Sequence, residues 1–187
     1  MQIGISNWFR ALAAGDAPPR LGLRRPLNIR FYTAYPTCNL SCSYCIAGHG
    51  DKYPKPQSQW DEQRFLAIVE NIRKLPYDVN IRLGVGGEFF VSKTLIDAAR
   101  RLSHSGNVMS VNLITNLTFS LKQYDRIFAG YRRAKVAVVA SFHPTEIEDH
   151  EAWFDKAAGF HRRFDFAVVL VAFPDLLPDV PATKRKL

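Results

Sequence analysis

Thr37-Cys38-Asn39-Leu40-Ser41-Cys42-Ser43-Tyr44-Cys45 contains every cysteine of the chain, in a C-x-x-x-C-x-x-C spacing. Thiolates are soft ligands suited to iron–sulfur clusters or to zinc, and both kinds of site ordinarily use four protein ligands. Three thiolates leave one metal position for something else, the same open position that separates catalytic from structural metal sites. Cysteines acting as small buried hydrophobes have no reason to gather in one short run. A disulfide framework does not fit, because the count is odd and a 187-residue chain with 47% hydrophobic residues can build a core without staples. Zinc completed by His49 is the rival that the residue chemistry leaves open.

The length suits one domain, and 12% aromatic with 22% charged residues describes a folded chain. Residues 1–14 lack the basic leader and long apolar stretch of a signal peptide. The longest apolar run, residues 166–173, is far short of the roughly 20 residues that span a bilayer. The expectation is a soluble cytoplasmic protein with reduced thiols and no membrane partner. The net charge of +8 is dispersed in pairs: Arg24-Arg25, Arg100-Arg101, Arg132-Arg133 and Arg162-Arg163. Such pairs suit solvated helix C-termini, where cations are favoured. They do not form the basic and aromatic stripe of a nucleic-acid binder. An anionic substrate or a negatively charged partner protein remains compatible with the excess.

Residues 6–14 read as a short helix, and 17–26 as a Pro- and Gly-rich connection. Alternation over 27–35, ending at Pro36, predicts a strand that runs into the cysteine loop. Trp60, Phe65, Leu66, Ile68, Val69 and Ile72 recur at helical spacing, with Ser58 and Asp61 placed to cap the start. Further strands are predicted over 79–85, 108–116, 135–142 and 166–172, and helices over 93–102, 121–128 and 148–160. This is an α/β alternation, and its apolar runs at 136–140 and 167–172 suit parallel strands buried on both faces. Both an open doubly wound sheet and a curved, barrel-like sheet satisfy the pattern. In either, sites form at the C-terminal ends of strands. There stand Cys38 to Cys45, Gly86 to Glu88, Thr115-Asn116 and Ser141 to His143, so four loops converge on one edge.

Cys38, Cys42, Tyr44 and Cys45 after the first strand match the pattern C-x-x-x-C-x-aromatic-C, and Gly86-Gly87-Glu88 follows at the end of the second strand. Together, over roughly residues 27–173, they resemble the radical S-adenosylmethionine (radical SAM) family. The resemblance implies a partial (β/α) barrel in which Cys38, Cys42 and Cys45 hold a 4Fe-4S cluster whose open iron chelates S-adenosylmethionine. Reductive cleavage there gives methionine and a 5′-deoxyadenosyl radical that abstracts hydrogen from substrate. It further implies an electron donor such as flavodoxin or ferredoxin and a small-molecule or peptide substrate. By the same resemblance Gly86 and Gly87 let backbone approach the methionine moiety, and Glu88 accepts a hydrogen bond from its ammonium. Tyr44 packs near the adenine, and Thr115, Asn116 and Ser141 face the cofactor. Leu117 departs from the family, which usually has Gly after this Thr-Asn pair. His143, Glu146 and His150 are candidates for substrate contact, although residues 144–146 also suit helix entry.

Five strands are readable where the family has six. The chain divides into a lead-in (1–26), the core (27–173) and a Pro-rich basic tail (174–187) ill suited to a buried strand. With no cysteine beyond Cys45 it has no ligands for an auxiliary cluster. The alternative reading is a non-catalytic iron–sulfur or zinc-binding accessory protein with an incomplete barrel.

Overall fold

The computed structural model describes residues 26–32, 38–45, 61–171, 177 and 180–181. Within them, five strands alternate with four helices: β1 Leu27–Tyr32, α1 Glu62–Arg73, β2 Val79–Val85, α2 Lys93–Ser103, β3 Val108–Thr115, α3 Leu121–Phe128, β4 Val136–Phe142, α4 His150–His161 and β5 Asp165–Leu170. Short 3-10 turns, Phe89–Val91 and Arg133–Lys135, follow β2 and precede β4. The predicted helix at 6–14, the cap at Ser58, the zinc candidate His49 and nearly all of the 174–187 tail lie outside the described residues.

The strands form one parallel sheet in the order β1-β2-β3-β4-β5. This order decides between the two architectures that the periodicity allows. A doubly wound sheet reverses its strand order at a switch point, which sends helices to both faces. Here each crossover steps the same way, and because such crossovers share one hand, all helices fall on one face. The result is an open five-stranded parallel sheet with one helix-covered face, the outer face, and an opposite face, the lumen face.

Burial follows that division. Ile81, Leu83, Val111, Leu113, Val138 and Phe142 point outward and are almost completely buried among the helices. Phe90, Tyr124, Phe128 and Phe160 join them in edge-on aromatic contacts, with ring centroids 4.8 Å apart for Phe90–Tyr124 and Tyr124–Phe160, a favoured aromatic geometry. The alternate residues line the lumen face and are far less covered. On β5 the predicted two-sided burial is not found: Phe166, Val168 and Leu170 are half-buried, Ala167 is exposed and Val169 is 49% exposed. The strand stands at the sheet edge, and its lumen face has no strand beyond it among the described residues.

Local chemistry sets the helix starts. Asp61 accepts from Arg64 N at 2.9 Å, Ser120 and Gln123 form a reciprocal capping box, and Asp149 accepts from Ala152 N at 2.9 Å. Such caps satisfy amides that otherwise lack partners. Helix α4 therefore begins at His150, two residues later than predicted. Arg100 and Arg101 lie in the last turn of α2 and Arg162 caps α4, as expected for dipole-matched cations. No helix among the described residues is long and apolar enough to cross a membrane.

Candidate functional site

Two backbone features shape the C-terminal rim of the sheet. In β2, Gly84 has φ +88°, and a Cβ there would stand 2.7 Å from Ile114 O. Only glycine fits, and the adjacent register shift between β1 and β2 is a bulge that turns the end of β2. Gly86 also has positive φ, +98°. After β3, Leu117 occupies the left-handed region at φ +59° while completely buried. The position where the sequence resemblance would place Gly thus has glycine-like backbone. Left-handed backbone costs an L-residue about 1–2 kcal/mol, and burying a leucine side chain returns about 1.5–3 kcal/mol.

Glu88 joins these two loops. The residue is 2% exposed, and its carboxylate accepts from Asn116 N at 2.7 Å, the Thr115 hydroxyl at 2.8 Å and Phe90 N at 3.1 Å. Burial raises its pKa, and the three donors oppose that shift. Thr115 Oγ1 in turn accepts from Leu117 N at 3.0 Å. The geometry therefore makes Glu88 and Thr115 a clasp between the ends of β2 and β3, with their polar atoms directed to protein partners.

The cysteine loop is stitched to the same rim. Asn39 accepts from Asn116 Nδ2 at 2.8 Å and donates to the Thr118 hydroxyl at 2.6 Å. Ser41 N donates to Glu146 Oε2 at 3.3 Å, and Thr145 donates to the Tyr44 hydroxyl at 3.3 Å. His143 stands at the centre. Its Nδ1 lies 3.5 Å from Cys42 Sγ and 3.3 Å from the Tyr44 hydroxyl, its Nε2 is 3.0 Å from Ser141 Oγ, and its ring stacks on Tyr44. Burial lowers the His143 pKa, against the pull of Glu146. Asn116 is held further by Trp153, whose indole N–H donates to Asn116 O at 2.8 Å.

These elements enclose a cavity of about 280 Å³. Cys38, Cys42 and Cys45 line it, together with Tyr44, Gly86, Gly87, Glu88, Thr115, Asn116, Ser141 and His143. The residues chosen from sequence as cluster and cofactor ligands thus border one space. Glu146 and His150 are not on its wall. Glu146 anchors the cysteine loop, while His150 bonds Pro144 O at 3.0 Å and packs edge-on against Phe142. Sequence reasoning missed Asn39 and Trp153, whose partners lie far away along the chain, and Gly84, whose requirement comes from a neighbouring strand.

All three thiols are free. Burial raises the pKa of Cys38, and it pushes Cys42 up to about 11 with a further contribution from Glu146. Such thiols keep their protons until a metal centre displaces them, because ligand deprotonation is coupled to metal binding. Among the described residues no three His, Cys, Asp or Glu side chains are gathered to hold a single metal ion. A cluster is bonded through several irons, so its thiolates stand further apart than the ligands of one ion. Three soft donors on one cavity wall fit that requirement.

No family model and no curated protein matches this chain. Solved structures do. BtrN in complex with AdoMet and 2-DOIA superposes with a TM-score of 0.56 at 16% identity, over 84% of this chain and 60% of that one. BtrN in an open conformation gives a TM-score of 0.52 at 13% identity, over 80% and 59%. At these identities the likeness is one of fold alone: an unclosed α/β sheet of parallel strands. This chain spans about 60% of the BtrN chain's length.

Proposed function

We propose that this chain is a radical SAM enzyme. The observation that carries the reading is that Cys38, Cys42 and Cys45 line one cavity with the ends of β2, β3 and β4, in a fold shared with a protein solved in complex with AdoMet. In this reading the three thiolates hold a 4Fe-4S cluster. With S-adenosylmethionine bound, that cluster supplies one-electron cleavage of the sulfur–carbon bond, giving methionine and a 5′-deoxyadenosyl radical that takes hydrogen from substrate. The chain's own residues do the positioning. Backbone at Gly86 and Gly87 approaches the methionine portion, Tyr44 and Ser141 border the nucleoside, and Asn39 with Asn116 holds the cysteine loop against the rim. Leu40, Ile114 and Val171 add apolar wall, which keeps water from a reactive intermediate. A flavodoxin or ferredoxin delivers the electron, and the substrate is a small molecule or peptide.

Anaerobic reconstitution with iron and sulfide tests this. The brown protein should absorb broadly at about 400 nm, and with dithionite and S-adenosylmethionine it should release 5′-deoxyadenosine. A full cluster without 5′-deoxyadenosine would sink the enzyme reading and favour the accessory protein. The zinc-binding accessory protein is the second reading, and the same preparation tests it, although no three metal-ligating side chains are gathered around one point among the described residues. Stoichiometric zinc in protein purified without oxygen, with no iron uptake on reconstitution, would establish that reading instead.

A further inference from the structure

The lumen face carries a second cavity, beneath the one bordered by the cysteines. It measures about 60 Å³, and Asn28, Arg30, Asn80, Arg82 and Asn112 stand on its wall. Parallel pairing sets Arg30 directly beside Arg82, and Arg82 beside Asn112. Adjacent strands are about 4.8 Å apart, so two cations rise from neighbouring positions on one face and border the same cavity, where like charges repel.

Nothing described in the protein neutralises them. Neither arginine makes a hydrogen bond or ion pair among the described residues, and the ion pairs that are described sit on the helices and their ends. In the same lumen row the acid is Asp165, three strands from Arg82. The floor is ordered. Asn80 Nδ2 donates to Asn28 at 3.3 Å, the Ser110 hydroxyl donates to Asn80 at 2.8 Å, and Asn112 Nδ2 donates to Ser110 at 3.2 Å.

An oxyanion between the two guanidinium groups would offset their repulsion, and the planar fork of arginine matches carboxylate and phosphate oxygens. The size agrees. One water needs about 10–15 Å³ of such space, so the cavity has room for roughly four waters, the bulk of one carboxylate or phosphate group and not of a whole metabolite. Arg82 and Asn112 lie two residues before Gly84 and Ile114, which line the upper cavity, a step of roughly 7 Å along the strands.

We propose that Arg30 and Arg82 form an oxyanion subsite that holds the carboxylate or phosphate group of a small-molecule substrate whose reacting end lies in the cysteine-lined cavity. The link to a substrate rests on the function proposed above; the anion site itself does not.

The test is a titration of the isotopically labelled full-length chain with inorganic phosphate and, separately, acetate, followed by NMR of the Asn80 and Asn112 side-chain amides. Saturable shifts are expected. Affinity should fall about tenfold or more in Arg82→Gln and be lost in the Arg30→Gln/Arg82→Gln double variant. Arg126→Gln, the same charge change on the exposed side of α3, should not weaken binding. Arg82→Lys, which keeps charge without the fork, guards against misfolding and should still bind more weakly. Preference for phosphate identifies a phosphorylated substrate, and preference for acetate a carboxylate. No saturable shift with either anion, or an equal loss in Arg126→Gln, overturns the subsite. The titration needs neither cluster nor S-adenosylmethionine. Anion binding without 5′-deoxyadenosine release would therefore retain the subsite and remove the proposed reaction, and the opposite result would remove the subsite alone.

Discussion

Replacing Glu88 by Gln probes the clasp that holds the site together. The carboxylate accepts from Asn116 N, the Thr115 hydroxyl and Phe90 N. A glutamine offers one acceptor oxygen and one amide nitrogen that can only donate. If its oxygen faces Asn116 N, its nitrogen confronts Phe90 N; if it is flipped, it confronts Asn116 N. Either way one buried backbone N–H loses its partner, at a cost of about 1–3 kcal/mol, and a charge-assisted bond becomes a neutral one, at about 1 kcal/mol. Removing a charge whose burial already raises its pKa returns part of this. The expected loss is about 2 kcal/mol. With a urea m-value of about 2 kcal/mol/M the unfolding midpoint should fall by about 1 M, measured by circular dichroism. A midpoint within about 0.2 M of the wild type would refute the reasoning, because it would mean that the three bonds contribute nothing net.

Gly84→Ala should cost more than about 2 kcal/mol, since it combines φ +88° with a Cβ 2.7 Å from Ile114 O; Gly130→Ala, which meets the movable Arg100 Cδ at 2.9 Å, should cost less than about 1 kcal/mol, and thermal unfolding ranks the two. At Leu117, truncation to Ala leaves a cavity worth about 2–5 kcal/mol. Leu117→Gly removes slightly more side chain but relieves the left-handed backbone by about 1 kcal/mol, so urea midpoints should show Gly no worse than Ala there. Burial raises the pKa of both Tyr124 and Tyr131, whose hydroxyl donates to Ile96 O at 2.7 Å. A raised folded pKa means that the folded state holds its proton longer than the unfolded state. The stabilisation is full below about pH 10, the unfolded tyrosine value, and is lost as pH rises beyond it. Absorbance at about 295 nm should show these two ionising only together with unfolding.

Much of the layout could be read without coordinates, because it depends on local chemistry. Apolar alternation located β2 and α3 at their observed bounds, and Asp61 announced the start of α1 through a bond three residues away. The convergence of four loops followed from strand parity alone, since parallel strands end on a common edge. The tasks of individual polar residues were less legible. Glu88, read as a partner for a ligand ammonium, has its oxygens directed to Phe90, Thr115 and Asn116, and the last two of these come from another strand.

The chain's sequence determined the three-thiolate motif, the α/β alternation and the loops that would meet, because each rests on spacing along the chain. The folded structure decided that the sheet is open with its helices on one face, since strand order depends on which edges pair in space. It also decided that Gly84 must be glycine, that Asn39 latches the cysteine loop, and that Arg30 and Arg82 stand side by side over a small polar cavity. Those last facts come from residues dozens of positions apart, brought into register by backbone hydrogen bonds that every sequence can make. No local pattern can specify them.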